Sequence, residues 1–342
     1  MTRRVLCFGE LLLRLGAPGR ELLLQSPQLQ VQVGGAEANV AVSLARFGHH
    51  AAMVGTVAGN ALGDAALAAL RGHGVDVGRV RRDPGARMGL YFLATGAGLR
   101  PSEVVYDRAD SAFARAGSDA YDWPALVAEF DCLHVSGITP ALGPRCADAT
   151  VTAMRSARAA GLEVSFDGNF RPKLWAAWQA DPATVLRAVL AEATIAFADH
   201  RDIEVVLGPD ADAHADTHEA RILAAAARAF AAFPQLRRIA TTLRGQNSVD
   251  AHSLGALLVT RGGDVHRVAP QAVEGIVDRI GAGDAFAAGV LHGLLGGMAD
   301  GDALAFGHAA ACLKHTVPGD FNLVDAATVG ALLRHERLDV RR

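Results

Sequence analysis

The chain has 342 residues, 51% of them apolar, and a formal net charge of −3. That length fits one large domain with a small accessory element, or two domains, and the apolar share can build a large core. The near balance of charge gives no sign of a nucleic-acid or polyanion surface, and no apolar run is long enough to cross a membrane. Cys7, Cys132 and Cys312 lie in apolar runs and read as buried thiols; with Cys146 they show no metal-ligand spacing. This fits a reducing, cytoplasmic setting rather than a disulfide framework.

Along the chain, short apolar runs at 5–8, 52–57, 132–135, 163–166 and 195–198 predict buried strands. Helical patterns at 38–47, 61–73, 144–160 and 182–192 lie between them. Alternation of this kind predicts an α/β fold with a mainly parallel central sheet, whose ligands bind beyond the strands' C-terminal ends. Two segments, about 11–33 and 88–108, carry strand-like alternation without long helices and predict a small sheet extending from the main domain. His49-His50, beside Gly48, reads as a solvated loop. A polar, acidic loop is expected at 210–217, before a helix over 219–233, and a β-hairpin over 253–269.

The most informative stretch is Asp278-Arg279-Ile280-Gly281-Ala282-Gly283-Asp284-Ala285-Phe286. Small residues run into an Asp and then into an apolar helical pattern, as in a loop opening onto a helix N-terminus. Gly281, Ala282 and Gly283 leave room for an anion to touch the backbone, which suits phosphate or developing negative charge. Asp284 is either a helix N-cap or the acceptor of a hydroxyl proton. Earlier, Gly34-Gly35-Ala36-Glu37-Ala38-Asn39 places paired glycines before a helix whose first turn holds Asn39. The glycines would allow a polyol close approach, and Asn39 can donate and accept hydrogen bonds. Asp167, Asn169 and Arg171 alternate after a strand end and can project the same way. Tyr106-Asp107-Arg108 closes the second small-sheet segment. It is an exposed strand end, or the source of a guanidinium that, with Arg171, holds a substrate carboxylate.

The 278–286 stretch resembles the signature of the ribokinase-like (PfkB) carbohydrate kinases, and 34–39 resembles their N-terminal Gly-Gly-x-x-x-Asn element. Gly89-Leu90-Tyr91, Tyr106-x-Arg108, Ser136-Gly137-Ile138-Thr139-Pro140, Asn169-x-Arg171 and Pro318-Gly319-Asp320 narrow the resemblance to the 2-keto-3-deoxygluconate kinases. It covers nearly the whole chain, and so implies a single ribokinase-like domain over 1–342, a three-layer sandwich with a small β-sheet lid. The resemblance implies substrate contacts from Gly34, Gly35, Asn39, Tyr91, Tyr106, Arg108, Ile138, Arg171, Asp284 and Asp320. It implies nucleotide contacts from Asn169, Arg171, Thr242, Arg244 and Gly281 to Gly283, with ATP and Mg²⁺ as cofactors. It also implies a monovalent cation such as K⁺ near Asp278, the Ile280 carbonyl and the loop 315–320, and a homo-oligomer formed through the lid.

Two places depart from that pattern. Asp199-His200-Arg201-Asp202 stands where the family often carries Asn-x-x-Glu, and Thr241 to Ser248 lacks the usual Lys- or Gly-rich turn. Arg244 either restores a positive charge there or is a surface residue. The implied reaction is phosphoryl transfer from ATP to O6 of 2-keto-3-deoxygluconate. Asp284 would be the base, kept ionised by the helix N-terminus, and the N–H groups around Ala282 and Gly283 the anion hole. Other acceptors remain open: fructose, ribose and the galactonate epimer. A nucleotide-dependent oxidoreductase is disfavoured because no Gly-x-Gly-x-x-Gly turn follows the first strand. A non-catalytic sugar sensor would have no need of Asp284.

Overall fold

The computed structural model describes residues 2–209, 217–246, 248–334 and 336. The acidic loop expected at 210–217 lies almost wholly outside the described residues, as does Asn247. Among the described residues, thirteen strands fall into two sheets. Nine belong to the large sheet: β1 (Arg4–Phe8), β4 (His50–Ala58), β5 (Asp76–Asp83), β8 (Cys132–Ser136), β9 (Glu163–Asp167), β10 (Ile195–Phe197), β11 (Arg238–Gln246), β12 (Ala251–Thr260) and β13 (Val265–Glu274). Their order is β13-β12-β11-β10-β9-β8-β1-β4-β5. The run from β11 to β5 is parallel, and β12 and β13 extend it as an antiparallel edge. The small sheet, order β3-β2-β6-β7, comes from β2 (Leu12–Gly16), β3 (Gln30–Gly34), β6 (Gly89–Ala94) and β7 (Glu103–Asp107). Segments 11–33 and 88–108 thus supply the second sheet that their alternation predicts.

Helices cover both faces of the large sheet. α1 (Ala36–Arg46), α2 (Ala61–Gly72) and three later helices pack on one side. On the other lie α3 (Ala112–Arg115), α4 (Trp123–Val127), α5 (Pro144–Ala159), α6 (Pro172–Ala176), α7 (Pro182–Leu190), α8 (His200–Leu207) and α9 (His218–Ala232). The later three are α10 (Ala282–Gly296), α11 (Asp300–Lys314) and α12 (Ala326–Leu333). The split follows the pleat of β1: Val5 and Cys7 enter one core, Leu6 and Phe8 the other. Because both faces are covered, parallel strands read as unbroken apolar runs, which is why they were visible in the sequence. All four cysteines are buried, free thiols. α10 and α11 approach closely through glycines. A Cβ on Gly289 would come within 2.6 Å of the Gly307 Cα, and one on Gly307 within 2.8 Å of the Phe286 carbonyl.

His49 departs from the solvated loop expected of it. It is buried, accepts from the Arg3 N–H, and its Nε2 lies 2.9 Å from His292 Nδ1. The outer face of the small sheet exposes Val31 and Val105. No described helix is long and apolar enough to cross a membrane.

One carboxylate fastens the sheet to the helix that begins the site. Glu37, in the first turn of α1, is 1% exposed. Its Oε1 accepts from the Ser136 N–H at 2.8 Å, the Ser136 hydroxyl at 2.7 Å and the Thr139 hydroxyl at 2.6 Å. Gly9 must lack a side chain, because a Cβ there would stand 2.0 Å from Glu37 Oε2. Glu37→Ala leaves a buried N–H and two hydroxyls without their acceptor. We expect it to cost about 3 kcal/mol, read as a lowered urea midpoint with unchanged slope.

Candidate active site

Two cavities open beyond the C-terminal ends of the parallel strands, as an open α/β sheet requires. One, of about 540 Å³, lies between the small sheet and α10 and is lined by Asn39, Tyr91, Tyr106, Arg108, Ile138, Asp284 and Asp320, among others. The second, of about 1230 Å³, runs over β10 and β11 and is lined by Asp199, Arg201, Asp202, Thr242 and Phe286, among others. Five residues line both: Asp167, Asn169, Arg171, Arg244 and Gly283. The N-terminus of α10 therefore stands where the cavities meet.

That helix end is built by Gly281, whose φ of 80° is left-handed and favours glycine. A Cβ there would also lie 2.0 Å from the Asp320 carbonyl. The Ala282 N–H donates to the Arg279 carbonyl at 3.3 Å, and the Ala285 N–H makes the first helical bond, to Gly281. Among the described residues, the N–H groups of Gly283 and Asp284 have no acceptor. Of the N–H groups around Ala282 and Gly283 that were expected to face an anion, that of Ala282 is taken up within the turn, and those of Gly283 and Asp284 are open among the described residues. A Cβ on Gly283 would meet nothing within 4 Å. Its missing side chain serves no packing need and leaves open space above the helix end.

Asp284 is not an N-cap; Gly281 holds that position. The Asp284 side chain is 9% exposed, and its Oδ2 accepts from Asn39 Nδ2 at 2.6 Å. Burial pushes its pKa up to about 7, against the lowering effect of the Asn39 bond. Burial thus works against the helix end, which was expected to keep Asp284 ionised. Asn39 Oδ1 is buried without a partner among the described residues, and Asn39 lines the same cavity. An acceptor left in that state calls for a donor from a ligand.

Of the ten residues expected to touch substrate, nine line the smaller cavity; Gly34 does not. Gly34 and Gly35 are small for a packing reason. A Cβ on Gly34 would lie 2.2 Å from Asp320 Oδ2, and one on Gly35 lies 2.3 Å from the Glu10 carbonyl, at a φ of 145°. The Tyr91 hydroxyl donates to Asp320 Oδ2 at 2.6 Å. Arg14 Nη1 donates to Asp320 Oδ1 at 3.1 Å and to Asp278 Oδ2 at 2.7 Å. Arg108 is buried, and its Nε donates to Glu10 Oε2 at 2.6 Å, while the Ser111 hydroxyl donates to Glu10 Oε1. Arg108 is therefore held in place by a buried acid rather than lying on an exposed strand end.

The place proposed for a monovalent cation is already furnished with protein cations. The Asp278 carboxylate accepts from Arg14, from the Ile280 N–H at 3.0 Å and from the Gly319 N–H at 3.1 Å. Lys314, 0% exposed, puts its Nζ 3.0 Å from the Val317 carbonyl and 3.5 Å from that of Asp278. These residues do not fit a further cation.

Arg171 and Arg244 line both cavities, and Arg279 lines the smaller one. Arg171, Arg244 and Arg279 have no carboxylate partner among the described residues. Burial first, then Arg279 and Arg201, lower the pKa of Arg244, the mark of a guanidinium among its own kind. In the same lining, burial raises Asp167 well above the usual carboxylate range, with Asp284 and Asp202 adding to it and Arg171 opposing it. Asp202 is pushed up to about 6 by burial and by Asp199. Asp199 and Asp202 also form a capping box at the start of α8, so this departure from the family pattern has a structural use. Asn169 holds a left-handed φ of 36°, which Asn tolerates. A free basic cluster, open helix N–H groups and a buried acid together suit a polyphosphate and a hydroxyl meeting at one point.

Comparison with known proteins agrees. The family model described as pfkB family carbohydrate kinase matches residues 2–326. This protein is a pfkB-family carbohydrate kinase. The kinase is 34% identical, over 98% of both chains, to the 2-dehydro-3-deoxygalactonokinase of Haloferax volcanii. It is 31% identical to the 2-dehydro-3-deoxygluconokinase of Bacillus subtilis, over 85% of this chain and 82% of that one. Among solved structures, the 2-dehydro-3-deoxygluconokinase of Thermotoga maritima superposes with a TM-score of 0.90 at 35% identity, covering 97% of this chain and 99% of that one.

Reading the sequence missed Glu10, Arg14, Glu37, Arg279 and Lys314. Arg14 and Lys314 carried a signal: each is a charged residue in an apolar context, Arg14 at an alternating strand position and Lys314 near the end of an Ala-rich helix. The two glycines of the helix end separate structure from chemistry. Gly281→Ala should lower the melting temperature by several degrees, because the turn cannot hold a Cβ. Gly283→Ala should melt at or above the wild-type temperature yet lose about a hundredfold or more in kcat. Calorimetry and a coupled kinase assay on the two variants check both.

Proposed function

We propose that this kinase transfers the γ-phosphoryl group of ATP to the O6 hydroxyl of 2-keto-3-deoxygluconate, giving 2-keto-3-deoxy-6-phosphogluconate. The observation that carries the reading is the position of Asp284, a buried carboxyl beside two open N–H groups at the junction of a small polar cavity and a larger charged one. Two chemical needs of phosphoryl transfer, a proton acceptor and a fixed cradle for negative charge, coincide there. The O6–H donates its proton to Asp284 as O6 attacks the γ-phosphorus; the bond from phosphorus to the ADP oxygen breaks. The N–H groups of Gly283 and Asp284 receive the charge that builds on the phosphoryl oxygens. Arg171, Arg244 and Arg279 neutralise the polyphosphate.

The residues fit Mg²⁺ as well, since burial and neighbouring acids raise the pKa of the Asp167 and Asp202 carboxyls, a strain that a bound cation would relieve. They would hold the ion on its nucleotide side, where it shares the phosphate charge. A ribokinase-like protein from E. coli of the same fold, 19% identical with a TM-score of 0.82, was solved in complex with ATP and Mg²⁺. For the acidic sugar the support is Arg108, fixed by Glu10 at the wall of the smaller cavity, together with the names of the relatives. The small sheet acts as a lid that excludes water, the competing acceptor. The match to the Haloferax enzyme favours a second reading, in which the galactonate epimer is the acceptor.

Asp284→Asn should lose about a hundredfold or more in turnover with ATP binding kept. The pH dependence follows from the sign of the shift. The base must be ionised, so kcat/KM should rise with pH through about 7 and flatten above it, and that limb should vanish in the Asn variant. The native state holds this proton between about pH 4 and about pH 7 whereas the unfolded chain does not, so Asp284 lowers stability as pH rises across that window. Asp284→Asn should therefore melt higher than wild type at pH 8 and near it at pH 4. Near-normal turnover, or no gain at pH 8, would rule out the assignment.

A panel of acceptors with ATP tests the substrate: the two 2-keto-3-deoxy sugar acids, fructose and ribose. The sugar acids should give the largest kcat/KM, and Arg108→Ala should depress them far more than it depresses fructose. Preference for a neutral sugar would overturn the reading.

A further inference from the structure

A monovalent cation that organises a backbone turn does so by drawing carbonyl oxygens around a fixed positive charge. At the turn that carries Gly283 and Asp284, this chain supplies that charge itself. Lys314, the last residue of α11, is fully buried, and its Nζ donates to the carbonyls of Asp278 and Val317. Its Cε lies against the turn: a Cβ on Gly281 would stand 3.4 Å from it. On the far side of Asp278, Arg14 bridges the carboxylates of Asp278 and Asp320. Two fixed cations thus face two buried carboxylates, and the Asp278 oxygens are engaged by protein donors. A further ion would meet the Lys314 ammonium and find the carboxylate already neutralised.

We propose that Lys314 is a tethered replacement for the monovalent cation of this site, a positioning residue that fixes the turn bearing Gly283 and Asp284 and makes phosphoryl transfer independent of potassium. A covalently held ammonium cannot dissociate, so the turn stays set at any salt composition. Its removal leaves a small cavity lined by the carbonyls of Asp278 and Val317, the kind of oxygen ligands that a free potassium ion draws around itself.

The test rests on the sugar-acid reading only in its activity arm. Wild-type kcat, measured with ATP and 2-keto-3-deoxygluconate or its epimer, should be the same in potassium, sodium and tetramethylammonium chloride at equal ionic strength. Lys314→Ala should lose about a hundredfold in kcat through a displaced turn, with the KM for ATP little changed. Potassium or ammonium chloride should restore it and tetramethylammonium chloride should not, a rescue that a mere loss of packing would not show. The second arm needs no substrate: potassium or ammonium should raise the melting temperature of Lys314→Ala, or of Lys314→Ser should the first not fold, and leave wild type unmoved. Potassium-dependent turnover or melting of the wild type overturns the proposal, as does a foldable variant indifferent to every cation. A wild type inactive on both sugar acids in all salts counts against the substrate, and the melting comparison then decides the role of Lys314.

Discussion

The buried bridge from Arg14 to Asp278 and Asp320 joins three parts of the molecule that share no sheet and no helix. Arg14 belongs to β2 in the small sheet, Asp278 to the loop before α10, and Asp320 to the loop after α11. Burying these charges carries a desolvation penalty, so the network is a poor explanation of stability. It is a good explanation of geometry. Each carboxylate oxygen has an assigned donor, and moving any one of the three elements would strand a charge out of water. Tyr91, also from the small sheet, adds a second bond to Asp320. The cavity wall on one side of Asp284 and the turn on its other side are set by the same few bonds.

Around that fixed point the charges are sorted by what they must meet. Guanidiniums without a carboxylate partner among the described residues line the two cavities, and carboxyls whose pKa values are raised by burial and by neighbouring acids stand beside them. Neither group is at rest by itself. The first lacks anions and the second lacks protons or cations, which is the electrostatic signature of a site completed by its substrates. In this setting, burial of Asp284 is not a defect. A carboxyl with a pKa near neutrality is matched to accept and return a proton, whereas a strongly ionised one would be a weak base.

The layers of the fold were legible in the sequence because parallel strands covered on both faces are apolar throughout, and because the two small-sheet segments alternate. Nine of the ten expected substrate residues reach one cavity, since glycines before a helix and polar runs after a strand mark the places where backbone meets ligand. The supporting acids were not legible. Glu10 and Glu37 each act on residues about a hundred positions away, and nothing local distinguishes them from surface glutamates. The glycine pair at 34 and 35 was legible as glycine, but the close protein atoms that both must clear, Asp320 Oδ2 and the Glu10 carbonyl, were not. His49 misled because a His pair beside a glycine looks like a loop, while its partner, His292, lies 243 residues on.

The glycine contact between α10 and α11 bears on how the two substrates are brought together. The helices touch backbone to backbone at Gly289 and Gly307, about 7.5 Å along the axis from Asp284. That end of α10 is clamped little more than one turn below the reactive carboxyl, and it is buried nearly all round. It has no slack with which to follow a moving partner. The N-terminus of α10, with the open N–H groups of Gly283 and Asp284, is thereby held against the body of the fold before any ligand arrives.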